Sequence, residues 1–131
     1  MARFTTEAPL FGTGVSSTTP GTSSVLGSNN SVFDFSARHN MSVQLVAGSE
    51  NAVFELQISN DGSNFAVYDR LTPNLTNTNS QTDAGVSQAA VTANTNQFWF
   101  IRNGDNFRYV RGSVTLVGTD SVFTATMHGI D

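Results

Sequence analysis

Apolar and polar side chains alternate along most of the chain from residue 31 onward. A period of two places one set of side chains on the buried face of a β-strand and the other set on its solvent face. The most regular run predicts a strand whose buried face carries Ala52, Phe54, Leu56 and Ile58. Further strands are predicted over 32–37, 41–47, 98–101, 107–117 and 123–128.

Turn-forming residues separate these runs. The segment Ser59–Asn64 contains an Asp-Gly pair, which tolerates a positive φ, and strand character resumes at Phe65. The pattern therefore predicts a tight hairpin from Ala52 to Arg70. The Asp-Gly loop lacks the spacing and the closing glutamate of a calcium-binding EF-hand loop, so turn formation accounts for its aspartate.

A second hairpin is predicted nearer the C-terminus, where Asn103–Asn106 forms a turn between Phe98–Ile101 and Phe107–Val117. Gly112 lies in the middle of the second of these strands and is expected to mark a bulge. The segment 72–97 is rich in Thr, Asn, Ser and Gln. It is either a loop that contacts a partner or an exposed connection with a short strand over 86–92.

Residues 1–30 are polar and rich in Gly, Ser and Thr, which predicts an extended N-terminal arm ahead of a β-sandwich domain at 31–131. Large apolar side chains are nevertheless scattered along this arm, and a solvated linker has little use for them. The alternatives are an arm ordered against a neighbouring subunit, a flexible tail, or a strand of the same domain. The candidate assembly contacts in the arm are Phe4, Leu10, Phe11 and Val15.

Frequent turns between short strand runs, with no segment that carries a helical apolar stripe, predict an all-β fold. The expected architecture is an antiparallel β-sandwich or jelly roll of about seven or eight strands. A length of 131 residues suits one such domain.

The charged residues limit the choice of partner. All six basic residues are arginines, ten residues are acidic, and the net charge is −4. Binding to a phosphate backbone needs a dense basic surface, so nucleic acid is not an expected partner. Arg102, Arg108 and Arg111 lie close together with Asp105 among them, and they are candidates for paired surface or interface residues.

Cysteine is absent, and no apolar run is long enough to span a bilayer, so neither a thiolate site nor a membrane partner is expected. The N-terminal residues lack the features of a signal peptide, which predicts synthesis in a cytoplasm.

Residues suited to catalysis are few. His39 and His128 lack supporting groups nearby in the sequence, no Gly-x-Ser-x-Gly elbow occurs, and the aspartates fall in turns or at strand ends. We therefore expect no catalytic residue, metal site or cofactor, and a role in binding or assembly. The rings of Phe98–Phe100 cannot all point to one side of a strand, so Trp99 either closes the core or faces a sugar, a partner subunit or the second sheet.

Two segments together resemble a known group of proteins. They are Phe54–Phe65, with the sequence FELQISNDGSNF, and Asn106–Arg111, with the sequence NFRYVR and a Val- and Thr-rich strand after it. The pattern is similar to small β-sandwich proteins of tailed bacteriophage particles over residues 31–129, and it leaves the arm unmatched. Discoidin-like carbohydrate-binding sandwiches share the pattern, so the fold transfers better than the role.

The resemblance implies a virion structural protein. The most specific role that the resemblance implies is that of a capsid decoration or cement protein, which binds the major capsid protein on the virion surface. Such a protein is expected to assemble as a homo-oligomer, namely a trimer. Such a protein stabilises the shell by binding it, without chemistry. The alternative is a carbohydrate-binding module of a tail, a spike or a lectin, with Trp99 and nearby aromatic residues as a stacking platform.

Overall fold

A computed structural model of the chain describes residues 5–11, 23–24, 32–36, 38–73, 85–102, 104–116 and 122–130. All regular structure in these residues is β-strand, arranged in two antiparallel sheets. The predicted all-β antiparallel sandwich is therefore confirmed. No helix within these ranges could cross a bilayer.

The described strands number eleven, more than expected from the sequence, because four of them have only two residues. They are β1 Thr5–Pro9, β2 Ser23–Ser24, β3 Phe33–Asp34, β4 His39–Val46, β5 Ala52–Ser59, β6 Ala66–Val67, β7 Thr72–Pro73, β8 Ala89–Val91, β9 Asn96–Phe100, β10 Tyr109–Leu116 and β11 Thr124–Ile130. One sheet has the order β1-β11-β4-β9-β7. The other has the order β2-β10-β5-β6, with β3 on β10 and β8 on β5.

The hairpin predicted from Ala52 to Arg70 is present. β5 pairs with β6 through Gln57 opposite Val67 and Ile58 opposite Ala66. Alternate side chains of β5 are buried from Ala52 to Leu56 as the period of two predicts, and Phe54 and Leu56 are fully enclosed. Ile58, which is also predicted on the buried face, is only partly buried. The same agreement holds for β4 and β11, where the predicted inward positions are the buried ones.

The second predicted hairpin is wrong, because its two strands belong to different sheets. β9 pairs with β4, whereas β10 pairs with β5. The connection crosses between the layers: the Ile101 amide donates to the Met41 carbonyl on one side, and the Arg108 amide donates to the Ser59 carbonyl on the other. Ile101 and Phe107 are both buried, so the connection closes one end of the core instead of forming an exposed tight turn.

The N-terminal segment also differs from the predicted arm. β1 pairs with β11 over five residues, from Thr5 opposite Ile130 to Pro9 opposite Thr126. Leu10 and Phe11 follow directly and are 0% and 1% exposed. Residues 5–11 are thus part of the sandwich itself. The side chains of Ala8, Leu10 and Phe11 pack in the core between the two sheets. Most of the remaining predicted arm lies outside the described residues.

Three phenylalanine rings meet at the centre of the sandwich. The centre of the Phe11 ring lies 6.2 Å from that of Phe54 and 5.9 Å from that of Phe123, both in edge-to-face geometry. The rings of Phe54 and Phe123 are stacked, with their centres 6.1 Å apart. Such pairs add about 0.5–1.5 kcal/mol each beyond the burial of their area. The cluster therefore ties the N-terminal segment to one strand of each sheet.

Gly112 does not mark a bulge, contrary to the sequence prediction. The β5–β10 pairing runs without interruption from Tyr109 opposite Ser59 to Leu116 opposite Ala52. A Cβ atom at Gly112 would lie 2.9 Å from Phe11 Cζ and 3.3 Å from Leu10 Cβ. Glycine is needed here because it leaves space for the N-terminal segment. The register shift occurs instead in β11, between His128 and Ile130.

The long connection predicted at 72–97 carries short strands. Leu71 and Val86 form an isolated antiparallel bridge, and β8 pairs with β5 from Ala52 opposite Val91 to Phe54 opposite Ala89. The predicted short strand near 86–92 is thus confirmed, and 74–84 lies outside the described residues.

Replacing Gly112 by Ala is expected to destabilise the domain by about 1–3 kcal/mol, because the added Cβ would lie only 2.9 Å from the ring of the buried Phe11. Urea denaturation measures the change. A double-mutant cycle with Phe11→Leu provides the control: the smaller side chain should relieve the clash, so the double variant loses less than the sum of the single losses. Additive losses would contradict this account.

Candidate interaction surface

The pairing of β5 with β10 brings together the two segments that carry the sequence resemblance. On the side of this sheet that faces away from the core, Arg111 lies opposite Gln57, and Ser113, which is only 5% exposed, lies opposite Glu55. Neighbouring side chains of this kind lie within contact distance on a sheet. We define the arginine face as the outer surface of this sheet formed by Gln57, Phe65, Arg108, Tyr109 and Arg111.

Arg111 is held by two contacts. Its Nε donates a hydrogen bond of 2.6 Å to Gln57 Oε1, and its guanidinium carbon lies 4.0 Å from the centre of the Phe65 ring. A planar cation over an aromatic face is stabilised by the ring quadrupole. The guanidinium group is therefore fixed in orientation before any partner arrives.

Arg108 is more exposed and lies beside the same strand pair. Its guanidinium carbon is 5.0 Å from the centre of the Tyr109 ring, and its Nε is 3.9 Å from Asp34 Oδ2. Both side chains of this ion pair are about half exposed, so the pair itself contributes little stability. The pKa of Asp34 is lowered chiefly by hydrogen bonds from the Ser36 hydroxyl and amide, with Arg108 a smaller cause.

The turn of the β5–β6 hairpin supports the Tyr109 ring. Gly62 has a φ of +78°, and a Cβ atom there would touch Tyr109 Cε2 at 3.4 Å. Asp61 holds the turn, because its carboxylate accepts hydrogen bonds from the amides of Ser63 and Asn64, the Asn64 side chain and the Ser59 hydroxyl. These bonds favour the ionised carboxyl and hold the pKa of Asp61 well below its usual range.

A second polar cluster closes the end of the sandwich. The Tyr68 hydroxyl donates to Asp105 Oδ2 at 2.8 Å and accepts from the Arg102 amide at 2.9 Å, and Arg70 Nη1 lies 3.1 Å from Asp105 Oδ1. Burial is the main cause that raises the pKa of Tyr68. Tyr68 itself is 4% exposed, so these bonds satisfy a buried hydroxyl. They also fix the connection between β9 and β10, which we call the crossover loop.

The predicted contact residues are distributed over different parts of the molecule. Arg108 and Arg111 come together on the arginine face, and Arg102 lies apart from them on the crossover. Leu10 and Phe11 belong to the core of this chain, which accounts for their apolar character without a neighbouring subunit. Phe4 and Val15 lie outside the described residues.

Trp99 belongs to the core as well. The residue is 8% exposed, and its Nε1 donates a hydrogen bond of 3.1 Å to Gln97 Oε1. Of the alternatives that the sequence leaves open, the structure therefore places this ring inside the sandwich. The exposed ring of β9 is its neighbour Phe98, at 43%.

Small clefts surround the crossover loop. One of about 190 Å³ is lined in part by His39, Arg102 and Asp105, and two others of about 300 and 260 Å³ share Ile58, Asn106 and Phe107. In the described ranges, no three His, Asp or Glu side chains cluster as metal ligands. Asp105 is already engaged by Tyr68 and Arg70, so its carboxylate serves the loop structure.

The sequence does not single out Gln57, Phe65 and Tyr109 of the arginine face, or Asp34 beside it. Gln57 and Phe65 lie in the hairpin that the pattern predicts, but their contact with Arg111 depends on the β5–β10 register. Asp34 reaches Arg108 because β3 pairs with β10. Long-range pairing of this kind leaves no local signal in a single sequence.

The fold has a counterpart among solved structures. The crystal structure of the SPBc2 prophage-derived protein YomS aligns with a TM-score of 0.59, at 14% sequence identity, over 100% of this chain and 96% of that one. The two proteins therefore share a fold. No protein-family model matches the chain, and no curated protein sequence matches it at a significant level.

Asp61→Asn tests the role of the turn carboxylate. Because the pKa of Asp61 is depressed in the folded state, its ionised form adds stability above the unfolded pKa of about 4. That contribution falls away as pH drops toward the native pKa. The wild type should accordingly lose more of its melting temperature between pH 5 and pH 2 than the variant does, as followed by circular dichroism. Parallel losses in the two proteins would contradict this role.

Proposed function

We propose that this chain is a structural protein of a tailed-bacteriophage particle, and specifically a capsid decoration or cement protein. It acts by binding, with the major capsid protein as its partner and the outer surface of the virion as its location. Two lines support this: the sequence resemblance carried by β5 and β10, and the fold shared with a prophage-derived protein.

The observation that carries the proposal is the preorganised arginine pair. Arg108 lies over the ring of Tyr109 at the start of β10, and Arg111 of β10 lies over the ring of Phe65 in the β5–β6 connection. Arginine and aromatic residues are enriched at protein interfaces, and side chains that are already ordered lose less entropy on binding. The arginine face therefore suits a partner that offers carboxylates or backbone carbonyls.

The mechanism is linkage between binding and shell stability. A protein that binds the assembled lattice but not its free subunits shifts the equilibrium toward the assembled state. Assembly of the chain as a trimer would add avidity, because the second and third contacts become intramolecular once the first has formed. No chemical step is required.

Loss of both guanidinium groups tests the partner contact. The Arg108→Gln, Arg111→Gln double variant is expected to bind expanded capsid shells at least about tenfold more weakly, because arginine is enriched among the few interface residues whose loss costs more than about 1 kcal/mol. Co-sedimentation with shells over a range of protein concentrations measures the affinity. Ser113→Ala on the same strand pair keeps both arginines and controls for general damage to the sheet.

Replacing the same two residues by lysine separates charge from stacking. If the planar guanidinium matters, the lysine variant should also bind weakly despite its unchanged charge. The proposal fails if the wild-type protein does not bind expanded shells, or if it occurs only in the tail fraction of virions.

The trimer is tested in solution. Analytical ultracentrifugation is expected to give three times the chain mass, and replacing the predicted arm contacts Phe4 and Val15 by Ser should shift the protein toward monomer. A wild-type monomer at high concentration would contradict the trimer but not the capsid contact, which one subunit can make on its own.

A further inference from the structure

The two outer faces of the sandwich differ in chemistry. The arginine face carries Arg108 and Arg111, with Glu55 and Asp34 beside them. On the five-stranded sheet, the register places Thr126, Gln44 and Phe98 in one row across β11, β4 and β9, and Thr124, Val46 and Asn96 in the next. These six residues, which we call the Phe98 face, include no ionisable side chain. The adjacent row on the same side of the sheet carries Glu7 opposite His128, followed by Ser42 and Phe100.

Phe98 offers an aromatic surface that the arginine face does not. Its side chain is 43% exposed, and its diagonal neighbour Val46 is 37% exposed. Phe65 and Tyr109 on the other sheet are already covered by Arg111 and Arg108. Within the described part of the chain, neither a ring nor a guanidinium group stacks on Phe98.

Amide groups beside the ring are ordered. Gln44 Nε2 donates a hydrogen bond of 2.9 Å to Asn96 Oδ1 across the two strands. This bond orients both side chains and leaves Gln44 Oε1 as an acceptor and the Asn96 amide hydrogens as donors. The hydroxyl groups of Thr124 and Thr126 lie on the same face. Donors and acceptors thus flank an exposed ring on a rigid sheet.

We infer that the Phe98 face binds a neutral saccharide. The C–H surface of a pyranose ring can stack on the aromatic face, while its hydroxyl groups pair with the amides and threonines. The charges on this side of the sheet suit a neutral ligand. An anionic sugar or a nucleic acid would need cations, but the six residues carry none, and in the adjacent row His128 lies opposite the carboxylate of Glu7. The two faces lie on opposite sides of the sandwich, so a glycan can bind while the arginine face contacts a partner.

Affinity electrophoresis through gels that contain neutral polysaccharides of glucose, galactose or mannose tests this inference. The wild-type protein is expected to be retarded by at least one of them, and Phe98→Ala should weaken that binding by about tenfold or more. Phe98→Trp keeps a stacking surface and should retain it. Val122→Ala removes an apolar side chain that is 53% exposed but lies outside these rows, and it should bind as the wild type does.

The possible results separate this inference from the proposed function. Absence of retardation in every gel, or equal retardation of wild type and Phe98→Ala, overturns the saccharide site and leaves capsid binding untouched. If Phe98→Ala instead loses affinity for capsid shells, the Phe98 face is a protein contact and the inference is wrong. Loss of shell binding only in the arginine variants, together with loss of retardation only in Phe98→Ala, supports both.

Discussion

The contact of Phe11 with Phe54 and Phe123 is the interaction on which the rest of the structure depends. It joins three segments that are far apart in the chain and belong to both layers of the sandwich. The contact is possible because Gly112 has no side chain at the point where Phe11 passes β10. β10, which contains Arg111 and directly follows Arg108, therefore also packs against the core. This packing makes the strand that supports the arginine face rigid.

The sequence predicts well what depends on local periodicity and turn chemistry. The alternation in β5 and the Asp61-Gly62 pair are sufficient for the hairpin, because a strand period and a positive φ are local properties. The predicted hairpin of β9 and β10 failed for the converse reason. Two strands joined by a short connection can pair with each other or can lie in different sheets. Here Ile101 and Phe107 are buried between the sheets, and the strands lie in different sheets. The bulge predicted at Gly112 is absent, and the contact that requires glycine there is with Phe11, about a hundred residues away in the sequence.

The candidate surfaces show the same limit. Arg108 and Arg111 could be proposed from the sequence as interface residues, but the partners that orient them could not, because those contacts come from strand register. The aromatic run of β9 is instructive: alternation requires Trp99 and Phe98 to face opposite sides, yet both are aromatic, so composition does not say which is buried. The structure buries Trp99 and exposes Phe98. The ring that is available for stacking on this strand is therefore Phe98 and not Trp99.

The contacts of Arg70, Arg108 and Arg111 give a physical reason why arginine and not lysine is used in this chain, which contains no lysine. Arg111 and Arg108 lie against rings, and Arg70 bonds to Asp105, so each of the three is held through a planar, multiply donating group. An ammonium group would keep the charge but would offer no plane to stack on a ring. A chain with few charges gains from such fixed cations, because a flexible side chain loses rotamer entropy whenever it binds. The side chains of the neutral Phe98 face also have little rotamer entropy to lose, because the ring is stiff and the amides of Gln44 and Asn96 are already hydrogen-bonded to each other. The roles proposed for the two faces therefore depend on one shared property: their side chains are ordered before any partner or ligand arrives.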